Sequence, residues 1–130
     1  MPLLDYTRTI SVLGTPYTIS VKKYDEIPDF RERDICGFCD AISHEIVLCD
    51  MRTHPKTDGL DWNWLPEESI IAHRKRTLRH EIVHAFFNES GLQESCGEYS
   101  GPWAQQEGMI DWWAIQGLKV YQAWKEADAI

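Results

Sequence analysis

From Tyr6 onward the chain alternates between apolar and polar positions. Tyr6, Ile10 and Val12 share one side with a single polar exception, Arg8, while Thr7, Thr9 and Ser11 take the other. After the turn signal Gly14-Thr15-Pro16, Tyr17, Ile19 and Val21 alternate with Thr18, Ser20 and Lys22. A period of two marks a strand with one buried face, and two such runs about a Gly/Pro turn predict a β-hairpin. Residues 25–33 are polar and interrupted by Pro28, and read as loop or a single short turn. Two more short strands are expected at 35–40 and 45–49, joined around 41–44. Residues 51–65, rich in Pro, Gly, Asp and Trp, read as a loop in which Trp62 and Trp64 are expected to pack on the core rather than line a cleft, and His54, a candidate auxiliary ligand or oxyanion donor, is expected to be exposed.

The period then changes. Pro66 followed by Glu67 and Glu68 reads as a helix start, because Pro suits the first turn and acids suit the positive end of the helix dipole. Residues 69–88 contain neither Pro nor Gly, and Gly91 is placed to end the helix. Ile71, Leu78, Ile82, Ala85 and Phe86 supply an apolar stripe, with His73, Arg74, Lys75, Arg76 and Arg79 on the outer turns. After a connector over 91–101, Ser100-Gly101-Pro102 opens a second helix whose stripe is Ile110, Trp113, Ala114, Gly117, Tyr121 and Trp124. The expected fold is α+β: a small, largely antiparallel sheet packed on two main helices, as one domain over residues 1–130.

Composition narrows the function. A net charge of −8 argues against binding nucleic acid through its phosphates. No apolar run is long enough to span a membrane, and the N-terminus lacks a basic region with an apolar core, so a cytoplasmic protein is expected. Cys36 and Cys39 form a Cys-x-x-Cys pair, with Cys49 and Cys96 further along. A structural zinc site needs a second close pair, and a redox pair favours a helix N-terminus rather than a strand. Four reduced cysteines are the expectation, with Cys36 and Cys39 on opposite faces of their strand.

The chemistry concentrates in the first helix, where His80-Glu81-Ile82-Val83-His84 reads His-Glu-x-x-His. Residues four apart lie on one helical face, so His80 and His84 can aim two imidazoles at one point, as a zinc ion requires. Glu81 is rotated about 100° from His80 and reaches beside that point, where it can take a proton from water as a general base. Glu107 is the candidate third ligand. Asp111, four residues on, lies on the same face and can hydrogen-bond a ligating imidazole, fixing its tautomer.

Residues 79–92 (Arg-His-Glu-Ile-Val-His-Ala-Phe-Phe-Asn-Glu-Ser-Gly-Leu) and 107–116 (Glu-Gly-Met-Ile-Asp-Trp-Trp-Ala-Ile-Gln) resemble the small ImmA/IrrE-type zinc metallopeptidases, most of all those carried by bacteriophages and other mobile elements. The similarity extends to 12–19 and 37–40. It implies that His80, His84 and Glu107 bind Zn2+ and that Glu81 is the catalytic carboxylate of a zincin. Zincins often place a Tyr or His near the developing oxyanion, and Tyr99 is the candidate here. In zincins an extended substrate also commonly lies along an edge strand beside the metal, a role open to either strand of the second hairpin. Many such proteins carry a helix-turn-helix domain, for which these 130 residues leave no room. The expected function is zinc-dependent cleavage of a specific protein substrate in the cytoplasm, that of a bacterial host if the chain is phage-encoded. The alternative is a zinc-bound module that grips a protein partner without cutting it.

Overall fold

The structure is a computed structural model that describes residues 6–92, 102–128 and 130. Strands β1 (Thr7–Val12) and β2 (Thr15–Lys23) form the first hairpin. Its turn is the pair Leu13-Gly14, both at positive φ, so Gly14 relieves half of a conformation that L-residues resist. Strands β3 (Gly37–Asp40) and β4 (Glu45–Asp50) form the second hairpin. The spatial order is β1-β2-β4-β3. Both hairpins pair antiparallel, but β2 and β4 meet in parallel at the centre. The sheet is therefore mixed, and the inner place of β4 has a physical reason legible in its sequence. Ile46, Val47, Leu48 and Cys49 are all buried, a continuous apolar run that needs cover on both faces and so takes an inner position.

The segment between the hairpins is more ordered than its polarity suggests. A single 3-10 turn at Tyr24–Glu26 leads into a short helix α1 (Pro28–Glu32), with Pro28 in its first turn and Phe30 buried. One aromatic anchor per turn is too sparse to register as periodicity, yet it suffices to dock the segment. The major helices are α2 (Glu67–Glu89) and α3 (Glu107–Glu126). No helix among the described residues is long and apolar enough to cross a membrane.

The sheet separates two apolar clusters. On one side Tyr17, Ile19, Val21, Ile46 and Leu48 pack with Ala85, Leu78 and Ile82 of α2. On the other, Val47 and Cys49 pack with Phe30, Met51 and Ile70. Cys39 belongs to the first side and Cys36 to the second. Cys36, Cys39 and Cys49 are free thiols, and burial pushes the thiols of Cys39 and Cys49 up to about 12. Cys96 lies outside the described residues.

Three details of the helices differ from the pattern along the sequence. The buried stripe of α2 runs through Ile70, Arg74, Glu81 and Ala85, while Phe86 is exposed. Arg74 is buried because its guanidinium lies over the Tyr6 ring, 5.2 Å from the centroid, where a cation and an aromatic face attract. Among the described residues of α3 only Ile110 and Ala114 are buried; Trp113, Tyr121 and Trp124 of the expected stripe are exposed. Trp62 packs on the second cluster, but Trp64 is 84% exposed.

Two contacts seat α2 on the sheet. Near its C-terminus Glu89 accepts hydrogen bonds from the Tyr17 hydroxyl (2.7 Å) and from Thr15 Oγ1 (3.1 Å). In its middle, β3 approaches so closely that a methyl group on Gly37 would meet Thr77 Cγ2 at 3.0 Å and the Val47 carbonyl at 3.2 Å. Gly37→Ala is expected to destabilise the fold by about 1–3 kcal/mol, the usual cost of overpacking. Urea melts of Gly37→Ala, with Thr77→Ala added to recover part of the loss, check this.

Candidate metal centre

His80 and His84 sit one turn apart on α2, with ring centroids 4.9 Å apart. Their orientation is set from α3 and from the turn that precedes it. Nδ1 of His80 donates to Asp111 Oδ1 at 2.7 Å, and Nδ1 of His84 donates to the Ala104 carbonyl at 2.6 Å. A carbonyl can only accept, so the His84 proton is on Nδ1 and the Nε2 lone pair is free. Both Nε2 atoms face Glu107: His80 Nε2 is 3.0 Å from Oε2 and His84 Nε2 is 3.2 Å from Oε1. One donor atom from each of His80, His84 and Glu107 lies within 4.8 Å of the others, a group that could hold a metal ion.

The local backbone explains how Glu107 arrives there. Rather than beginning at 100–102, α3 begins at Glu107, after a 3-10 turn at Trp103–Gln105 and an extended Gln106 (φ −79, ψ 93). In an unbroken helix the Ala104 carbonyl would accept from the amide four residues on. The break at Gln106 releases that carbonyl for His84 and leaves Glu107 as the first residue of α3. The two helices run antiparallel, with Arg79 Nε donating to the Ala114 carbonyl at 3.2 Å further along the same seam.

Glu81 stands behind this group rather than in it. Its carboxylate is buried, Oε1 is 3.7 Å from His80 Nε2, and Oε2 has no hydrogen-bond partner. Burial pushes its carboxyl up to about 7; His80 and Arg33 oppose the rise, while the charges of Glu107 and Asp111 add to it. Burial also lowers the pKa of His84, which favours the neutral imidazole that a metal needs. The cleft on the β3 side holds about 200 Å3 and is lined by Gly37, Cys39, His80, Glu81, His84 and Glu107.

Of the residues singled out in the sequence, His80, His84, Glu107, Asp111 and Glu81 lie together. Tyr99 lies outside the described residues. His54 packs against Tyr24 and Trp62 and does not line the cleft. Three further contributors were not singled out in the sequence. The Ala104 carbonyl orients a ring from the main chain. Arg33, just past α1, lines the cleft mouth, and Asn88 brings a buried, unpartnered Oδ1 to its wall. Asn88 lies four residues beyond His84 on α2, a spacing that could have flagged it.

No family model matches this chain, and no curated protein or solved structure is significantly similar to it.

Two measurements probe the centre. The double variant His80→Ala/His84→Ala should lose stoichiometric metal in elemental analysis, whereas the Cys36→Ser/Cys39→Ser protein should retain it. Asp111→Ala should weaken metal affinity by roughly 10–100-fold, the usual effect of removing the partner of a ligating imidazole. Competition with a chromophoric chelator reads that change.

Proposed function

We propose that this chain is a zinc-dependent endopeptidase in which His80, His84 and Glu107 hold Zn2+ and Glu81 is the general base. The observation that carries the reading is the Glu81 carboxylate, buried with one oxygen unpartnered beside three converging donors. An unsatisfied buried carboxylate costs stability, so such a group marks a site of chemistry more often than one of packing. Two imidazole nitrogens and one carboxylate oxygen form the donor set of a catalytic zinc site, which leaves a further position open. Zinc bound there supplies Lewis acidity, lowering the pKa of water toward about 7 and polarising a carbonyl. Glu81 takes the proton of the attacking water and delivers it to the leaving amine. Asp111 and the Ala104 carbonyl keep the two rings in register while charge moves.

The sheet suits a peptide substrate. β3 is an edge strand beside the cleft, and a peptide laid along it gains main-chain hydrogen bonds. With this reading goes the proposal that the chain is a member of the ImmA/IrrE-type peptidases of phages and mobile elements, acting in a bacterial cytoplasm; it rests on residues 79–92 and 107–116.

Glu81→Gln separates an enzyme from a module that binds without cutting. The variant should fold, keep its metal and still capture substrate, with cleavage reduced by about 10²–10⁴, the worth of general-base catalysis. Comparing proteomes of cells that express wild type and Glu81→Gln identifies polypeptides lost only with the base present. Identical proteomes, with a partner retained equally by both, would establish the binding module instead.

A further inference from the structure

The hollow at the metal cleft is the middle one of three that share walls along β3. The first, about 270 Å3, shares Gly37, His80 and Glu81 with the middle hollow. The third, about 260 Å3, shares Arg33, Phe38, Cys39 and Asn88 with it. Together they make one groove, and the register of β3 shows how the groove can be used. The Cys49 amide donates to the Cys36 carbonyl at 2.8 Å, which makes 36/49 a hydrogen-bonded pair. Pairs alternate in an antiparallel ladder, so at Gly37 and Cys39 the backbone N–H and C=O point away from β4, toward the groove. A peptide strand adds there most favourably in antiparallel sense. Its N-terminal part then lies by Asp40, in the third hollow, and its C-terminal part passes Gly37 into the first.

The charges of the two outer hollows differ in kind. In the third, Asp40 accepts from the Ile42 and Ser43 amides, and Asp29 is paired with Arg33 at 3.5 Å. Those groups are already satisfied within the chain. In the first hollow, Ile35, Ala114 and Ile115 provide apolar wall, and Asp111 is held by the His80 ring. Arg76, one turn before His80 on α2, is exposed and has no hydrogen-bond or ion-pair partner among the described residues. His73 joins it there with a buried Nδ1 that also has no partner. An apolar wall that ends at an unpaired guanidinium fits a side chain with a hydrocarbon stem and a carboxylate tip.

We infer that the first hollow is a specificity pocket for an acidic side chain, glutamate before aspartate, on the C-terminal side of the cleaved bond, with Arg76 as its determinant. The inference rests on the peptidase reading for the position of the cut, but not for the pocket's preference.

The experiment incubates the zinc-loaded full chain with a degenerate peptide library and sequences the products by mass spectrometry. In parallel, immobilised zinc-loaded Glu81→Gln protein is used to retain peptides from the same library. Acidic residues should be enriched roughly tenfold just after the cut, in keeping with a charge-assisted hydrogen bond. Arg76→Glu should abolish that enrichment and favour Lys or Arg, and Arg76→Lys should restore part of it. Cleavage without an acidic preference, or a preference that Arg76→Glu leaves intact, overturns the inference while the peptidase reading stands. Retention of acidic peptides that depends on Arg76, with no cleavage by wild type, upholds the pocket and removes the peptidase reading. Neither cleavage nor retention removes both.

Discussion

One helix has to serve the core and the site at once, and the rest of the structure follows from how α2 divides its faces. Leu78, Ile82 and Ala85 turn toward the sheet, while His80 and His84 turn toward α3. Glu81 falls on the border, buried like a core residue but charged like a site residue. A helix can bear this only if both neighbours are held in place. The Gly37–Thr77 approach fixes the sheet side, and the bonds from His80, His84 and Arg79 to α3 and the turn before it fix the other.

Those bonds also control chemistry. An imidazole free to rotate presents either nitrogen, and two such rings on one helix would seldom converge. Tying each Nδ1 to an acceptor leaves both Nε2 atoms facing Glu107. The cost is crowding of negative charge, since Glu81, Glu107 and Asp111 gather around two histidines. Opposite charge close by offsets such crowding, and a divalent cation supplies more of it than any side chain. Burial lifts the Glu81 carboxyl to about 7, and the charges of Glu107 and Asp111 add to that rise.

Much of this was legible in the sequence because it is local. Period-two alternation marks β1 and β2, an uninterrupted run after Pro66 marks α2, and four-residue spacing puts His80 and His84 on one face. Glu107 and Asp111 share that kind of spacing on α3. Each of these depends only on backbone geometry within one element, which residue type and spacing dictate. The short α1 escaped because one buried Phe30 makes no period.

The tertiary structure decided whatever depends on two elements meeting. That β4 lies inside the sheet follows from its need for cover on both faces, but its parallel pairing with β2 is set by how the chain crosses between the two hairpins, which neither hairpin alone specifies. Arg74 is buried because Tyr6 is there to receive its guanidinium, whereas Trp113 and Trp124, apolar by type and spacing, are left exposed. α3 starts at Glu107 after the break at Gln106, and the Ala104 carbonyl left outside the helix meets the His84 ring. Backbone carbonyls have no letter in a sequence, and the company a side chain keeps is a property of the fold.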